Sequence, residues 1–413
     1  MKSPAVSCCG KSGPASVDSL HLRAPEQVCT EADLIRVVEI GRGDSAYTET
    51  FLALLDERHA VYEGVSTPAV TRMRAALLLA LAHRALPTSA LPFVLEELET
   101  AHDAWLTAVA AHVLRKHPEP LPSFAQPLLS AILYIRHRDD IVRLENYGGH
   151  GPGGETTTAM AEVMRTIAWL GRCGVTCLPT LEDLLAQCPG PATSAMAANA
   201  IKAIRDDDQA PPAECCGGGE ATRALPRRAE KDISSLRLQD HSGAELSFAD
   251  AFHGRPSIVV FFYTRCDNPA KCPLTMYKFG SLQRLLQDSG IGDAIGTAAI
   301  TYDPEYDRAE RLLQYAHSWG VKPSALHRVL RTVGEFSALR EYFELGVNFG
   351  ASGIVNRHQL EAYVLDQQGQ IAHVVARRRW DEAELVRLAT SLVGPLSLGD
   401  PSGASNGRAS RVN

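Results

Sequence analysis

Two hydrophobic periods run through this chain, and they divide it. From Thr30 to about Ile204, Ala, Leu and Val recur at three- and four-residue intervals, the spacing of an amphipathic helix. Ala76, Leu79, Ala80 and His83 share one helical face, as do Leu106, Val109, Ala110 and Val113. From Asp232 onward, short apolar runs alternate with helical stretches, the pattern of strands joined by crossover helices. A chain of 413 residues also exceeds one ordinary core. The expectation is a multidomain protein, with an all-α domain over 30–205 and an α/β domain over 232–394. Residues 206–231, with Asp206-Asp-Asp and Gly217-Gly-Gly, read as a linker. Residues 1–28 and 395–413 show no period and read as disordered tails.

Inside the helical region a unit recurs. Leu91-Pro92, Leu121-Pro122 and Leu178-Pro179 each open an amphipathic helix behind another helix, over 75–84, 104–116 and 160–170. The Leu-Pro pairs lie 30 and then 57 residues apart, close to one and two repeats. This pattern resembles short HEAT-type repeats, which implies a stacked solenoid that binds protein partners. The repeat is interrupted at 146–158, where five of the seven positions 148–154 are Gly. No strand precedes that segment, so it reads as a surface loop and not as a phosphate cradle; His150 is its one residue with site chemistry. Cys173 and Cys177 form a single Cys-x-x-x-Cys without a second pair, and packing is the expectation.

Net charge is −7 and no basic tract is present, which argues against nucleic acid as a partner. The N-terminal residues carry no apolar signal-like core. The longest apolar run, 75–82, stops at His83 and Arg84, short of the ~20 residues a membrane helix needs. The expected location is cytoplasmic. In a reducing compartment ten cysteines point to metal or redox chemistry more than to a disulfide framework. Cys29 and Cys188 read as small apolar residues. Cys8-Cys9-Gly and Cys215-Cys216-Gly repeat one rare tripeptide; vicinal thiols are soft donors, and Cys8, Cys9, Cys215 and Cys216 are candidate auxiliary metal thiols.

The chemistry concentrates further on. Residues 255–264 form an apolar run, Cys266 follows in a polar loop, and Cys272 precedes Pro273, a residue suited to a first helical turn. Helices are expected over 274–286, 307–319, 333–343 and 381–393, and strands over 294–301, 359–366 and 370–376. That order suits a three-layer thioredoxin-like arrangement.

Four segments carry a specific resemblance. They are Phe261-Phe-Tyr-Thr-Arg-Cys266 with Cys272-Pro273-Leu-Thr, Ile300-Thr-Tyr-Asp303-Pro304-Glu305-Tyr-Asp307, Leu330 to Phe349, and Arg357-His358 through Asp366 to Gly369. Residues 232–394 resemble the SCO/SenC family of copper-binding, thioredoxin-like proteins. The resemblance implies that Cys266, Cys272 and His358 bind copper, that Asp303 supports the cysteine loop, and that a partner protein receives copper or electrons. Two thiolates and one imidazole suit Cu(I), and the imidazole helps tolerate Cu(II). The chain departs from the family pattern twice. Five residues, not three, separate the cysteines, and Arg357 stands where the family has Asp, setting a positive charge beside the site. Two other functions compete with copper binding. One is a thiol-disulfide oxidoreductase or peroxiredoxin-like enzyme cycling Cys266 and Cys272. The other is an interaction protein that works through its helices.

Overall fold

The computed structural model describes residues 24–83, 85–187, 190–207 and 232–393. Cys8, Cys9, Cys188, Cys215 and Cys216, residues 1–23, residues 208–231 and the C-terminal tail lie outside them. Residues 24–28 correct the reading of 1–28 as a disordered tail: Pro25–Gln27 form a 3₁₀ turn, and Val28 is ordered because it is buried in the helical core. Among the described residues no helix is long and apolar enough to cross a membrane.

The N-terminal domain consists of α1 (Glu31–Gly41), α2 (Thr48–Leu55), α3 (Thr67–Leu81), α4 (Leu91–Glu99), α5 (Ala104–Leu114), α6 (Ala125–Ile135), α7 (Ala159–Leu170), α8 (Leu178–Ala186) and α9 (Pro191–Asp206). Their starts follow local chemistry. The Thr30 hydroxyl accepts from Asp33 N–H while the Asp33 carboxylate accepts from Thr30 N–H, a reciprocal cap. Asp103 and Thr158 cap α5 and α7 through their side chains. Leu91-Pro92 and Leu178-Pro179 open α4 and α8 directly. At Leu121-Pro122 one 3₁₀ turn, Pro122–Phe124, comes before α6. Helices α3, α5, α7 and α9 stack in sequence, and α4 packs on α6 beside them. One core runs through the stack, from Val28 to Ile204.

The C-terminal domain holds a seven-stranded sheet in the order β2-β1-β5-β4-β3-β8-β9. Its strands are β1 (Arg237–Asp240), β2 (Glu245–Ser247), β3 (Ser257–Phe262), β4 (Gly296–Thr301), β5 (His327–Thr332), β8 (Glu361–Leu365) and β9 (Ile371–Ala376). A separate ribbon pairs β6 (Val347–Phe349) with β7 (Val355–His358). Strands β3, β4 and β5 run parallel, and β8 joins β3 antiparallel. All six residues of β3 and of β4 are buried, as expected of central parallel strands covered by helices. The helices are α10 (Phe248–Phe252), α11 (Cys272–Asp288), α12 (Ala309–Ser318), α13 (Phe336–Tyr342) and α14 (Glu382–Thr390). Helices α11 and α14 pack together against β3, while α12 packs on β5. Strand β5 corrects the sequence reading, which assigned no strand before a helix at 333. His327-Arg-Val-Leu-Arg-Thr buries only part of its length, and its strand state comes from pairing with β4 and β1.

The two domains share a charged, buried interface. Glu57, Glu96 and Glu97 of the helical domain meet Arg357 and Arg377 of the other, with Arg74 between them. Arg377 reaches Glu57 at 2.6 Å and Glu96 at 3.2 Å. Arg74 reaches Glu97 at 2.8 Å and Glu57 at 3.1 Å. Amide contacts flank this network. Asn356 donates to the carbonyls of Tyr62 and Val65, and Asn348 to those of Glu57 and His59.

Burial pushes Glu57 and Glu97 toward protonation, but nearby guanidiniums, Arg377 and Arg74 for Glu57 and Arg357 and Arg74 for Glu97, more than offset it. Both carboxyls are held below their ordinary range, near 4.3 in an unfolded chain. Groups of that kind stabilise the fold fully above the unfolded value, and the stabilisation drains away as pH falls below it. The melting temperature is expected to drop steadily from about pH 5 to about pH 3. Glu97→Gln should flatten that slope in differential scanning calorimetry; an unchanged slope would contradict this account.

Candidate metal centre

The site is assembled at the C-terminal ends of parallel strands, a usual place for chemistry in open α/β sheets. β3 ends at Phe262, and the chain turns through Tyr263, Thr264 and Arg265 to Cys266. Two acids hold that turn. The buried Asp307 accepts from Thr264 N–H at 3.0 Å, from the Thr264 hydroxyl, and from the Thr301 hydroxyl at 2.5 Å. Asp303 accepts from both Nε and Nη2 of Arg265, the residue before Cys266. Asp303 therefore acts on the cysteine loop through Arg265, and Asp307 is a second anchor that the sequence reading quoted without a role.

The long loop between the cysteines closes on itself. Ala270 N–H donates to the Asn268 side-chain oxygen at 2.9 Å, and Lys271 N–H to the Asn268 carbonyl at 3.1 Å, a side-chain-supported turn. The turn absorbs the two additional residues and leaves Cys272 as the first residue of α11, followed by Pro273. His358 closes β7. Its Nδ1 lies 3.0 Å from the Gln359 carbonyl. A carbonyl only accepts, so Nδ1 carries the hydrogen and the Nε2 lone pair is left free. That Nε2 lies 3.5 Å from Cys272 Sγ and 3.8 Å from Cys266 Sγ.

The Sγ atoms of Cys266 and Cys272 and a ring nitrogen of His358 all lie within 4.8 Å of one another, and no other His, Cys, Asp or Glu group of this kind occurs among the described residues. Cys272 and His358 are buried, and Cys266 is half-buried. The thiols are not equivalent. A hydrogen bond from Cys272 holds the Cys266 thiol well below its ordinary value; burial pushes Cys272 well above it.

The supporting layer fixes the histidine. Buried Lys271 donates to the His358 carbonyl at 2.5 Å. Tyr263 stands edge-on to the imidazole and Tyr302 is tilted beside it. Buried Glu361 accepts from Gln359 at 2.6 Å, Tyr302 at 2.7 Å and Tyr363 at 2.9 Å. A Cβ on Gly346 would lie 2.3 Å from the Gln359 amide carbon, so this packing requires glycine there. Arg357 corrects an expectation. Its guanidinium points to Glu97 at 2.7 Å and Glu57 at 3.6 Å, so its charge is paired across the domain interface.

Other sequence candidates stand apart from the centre. Cys173 and Cys177 are buried in the 3₁₀ segment Gly171–Cys177. The Cys173 thiol approaches the Pro120 carbonyl, and burial pushes Cys177 up to about 11. His150 is exposed in the Gly-rich loop. Lys271, Glu96, Glu97 and His102 border the site, and none was singled out from the sequence. Lys271, Glu96 and Glu97 are buried charges and His102 is half-buried, features that local pattern does not reveal.

Comparison with known proteins agrees with this reading of the second domain. Structures of three proteins resemble it at low identity. A SCO1/SenC family lipoprotein from Bacillus anthracis is 17% identical, covers 41% of this chain and 100% of its own, and has a TM-score of 0.35. Bradyrhizobium japonicum ScoI with copper bound is 19% identical, over 37% of this chain and 94% of its own, with a TM-score of 0.30. Yeast Sco1 is 24% identical, over 38% and 96%, also at 0.30. No curated protein matches the chain. Residues 226–393, which take in the C-terminal domain, match the model of the SCO1/SenC family.

Proposed function

We propose that this protein is a copper carrier that binds one Cu(I) through Cys266 Sγ, Cys272 Sγ and His358 Nε2. The observation that carries the reading is the donor set: two thiols and one imidazole lone pair, mutually within 4.8 Å and largely buried. Sulfur and nitrogen donors in that number favour a soft monovalent ion with low coordination. The family match over 226–393 supports it. When bound, the ion would draw on a preformed imidazole, with its tautomer set by Gln359 and its backbone held by Lys271. We further propose that the stacked helix pairs are HEAT-type repeats and that the copper passes on to a partner protein.

The test is anaerobic Cu(I) titration of the full chain, with Cys266→Ser and His358→Ala beside wild type. One tight equivalent lost in both variants supports the reading; tight binding that survives both overturns it. Asp307→Ala removes the anchor of Thr264 and should weaken Cu(I) affinity by about 10–100-fold while keeping the stoichiometry. Competition against a chromophoric chelator measures that change.

A second reading draws on the unequal thiols. Cys266 as nucleophile and Cys272 as buried resolving thiol suit a dithiol cycle, in which both give up their hydrogens and two electrons pass to the disulfide of a partner. Cys272→Ser would then trap a mixed disulfide at Cys266.

A further inference from the structure

This inference rests on the copper reading and names what delivers the metal. The face of the C-terminal domain that carries the ligands is covered by the helical domain. Contacts flank each ligand-bearing segment. In the cysteine loop, Asn268 donates to the Thr100 carbonyl at 2.9 Å. Around His358, Arg357 pairs with Glu97, and Leu360 N–H donates to Glu96 at 2.9 Å. Asn356 holds the carbonyls of Tyr62 and Val65. What remains open is a cavity of about 370 Å³ between the domains, lined by Cys266 and His358 on one side and by Thr100 and Leu106 on the other. Asp267 and His102 also line it, 3.6 Å apart, and the Asp267 side chain is 86% exposed.

The size of this space decides what can approach. A folded donor needs roughly 800 Å² of surface to dock stably, and here the helical domain contacts the segments on either side of both the cysteine loop and His358. The cavity falls at the small end of small-molecule sites, ~300–1,000 Å³.

We propose that the site takes its metal from a low-molecular-weight carrier, one Cu(I) held by small thiol ligands, which enters the interdomain cavity. Loading is ligand exchange. Each copper–sulfur bond to the carrier breaks as a bond to Cys266 Sγ or Cys272 Sγ forms. The copper keeps its oxidation state, the lone pair of His358 Nε2 completes the set, and a proton displaced from a cysteine thiol leaves on the released carrier thiolate. The two domains must separate before a protein donor can dock.

The test separates access from copper binding. Apo full-length protein is treated with N-ethylmaleimide or with a maleimide carrying a polymer as large as a small protein, and modification of Cys266 is followed by peptide mapping. The same pair of reagents on the urea-unfolded chain gives their intrinsic ratio. In the folded protein the bulky reagent is expected to be slowed by about tenfold or more beyond that ratio, because it waits for domain opening. Asn348→Ala and, separately, Asn356→Ala each remove an interdomain contact outside the cysteine loop and should speed the bulky reagent and leave the small one unchanged, with circular dichroism confirming the fold. Equal accessibility to both reagents in folded wild type overturns the proposal, even if copper binds as expected. No Cu(I) binding with size selection intact would overturn the copper reading, and the loading route with it, and leave only the restricted access to Cys266. Where copper binds, loading from a Cu(I)–monothiol complex should outpace loading from a folded copper donor protein; equal rates overturn the proposal.

Discussion

Glu57→Ala is expected to destabilise the protein by about 3–5 kcal/mol, the cost of stripping one partner from a buried ion network. Glu57 is fully buried and faces Arg377 at 2.6 Å, Arg74 at 3.1 Å and Arg357 at 3.6 Å. Without it, these guanidiniums keep only Glu96 and Glu97 as anionic partners in this network, with the Leu55 carbonyl on Arg74 at 2.6 Å, and water cannot reach them cheaply. Urea unfolding measures the loss. A second variant separates charge from volume. Glu57→Leu combined with Arg377→Leu removes a pair together and should recover part of the deficit, since matched apolar replacement of a buried pair is often tolerated. A loss below about 1 kcal/mol for Glu57→Ala would show that the interface relaxes or hydrates more readily than its burial indicates.

Glu361→Leu is expected to cost roughly 2–4 kcal/mol, because it strands two buried donors at ~1–3 kcal/mol each and regains the expense of burying a carboxylate. The donors are the hydroxyl of Tyr302 and the amide of Gln359, while the Tyr363 hydroxyl keeps the Phe343 carbonyl at 2.8 Å. Tyr302→Phe deletes one donor and should cost about 1 kcal/mol. The Glu361 change also reaches the site. Gln359 supplies the carbonyl that fixes the His358 tautomer, so Glu361→Leu should broaden the His358 ring signals in NMR while Tyr302→Phe leaves them sharp. Sharp signals in both variants would place control of the histidine elsewhere.

The division into a helical and an α/β domain was legible because the hydrophobic period changes at about residue 232, and period reports burial geometry directly. The edges of β3 and α11 were legible for similar reasons: an apolar β-branched run stops at a polar loop, and Pro273 marks a helix start. His358 was legible only through its resemblance to a motif; nothing local distinguishes it from a surface histidine. What escaped was everything made by distant pairing. β5 carries two arginines and a histidine, and becomes a strand through its neighbours on both sides. Leu95-Glu96-Glu97-Leu98 reads as an ordinary amphipathic turn, yet both carboxylates are buried against the other domain. Arg357 looked like a charge aimed at the metal site because its partners lie 260 and 300 residues earlier.

The buried charges at the interface also bear on how this protein can be divided. Lys271, Arg357 and Arg377 belong to the C-terminal domain, and Glu57, Glu96 and Glu97, which face them, belong to the helical one. Expressed alone, the C-terminal half would present three cations without their acidic partners to open solvent. Its solubility, thiol reactivity and appetite for anions would be those of another molecule. Neither half can be exchanged for a homologue by simple recombination without matching this charge pattern, so the two are expected to be inherited as a single unit.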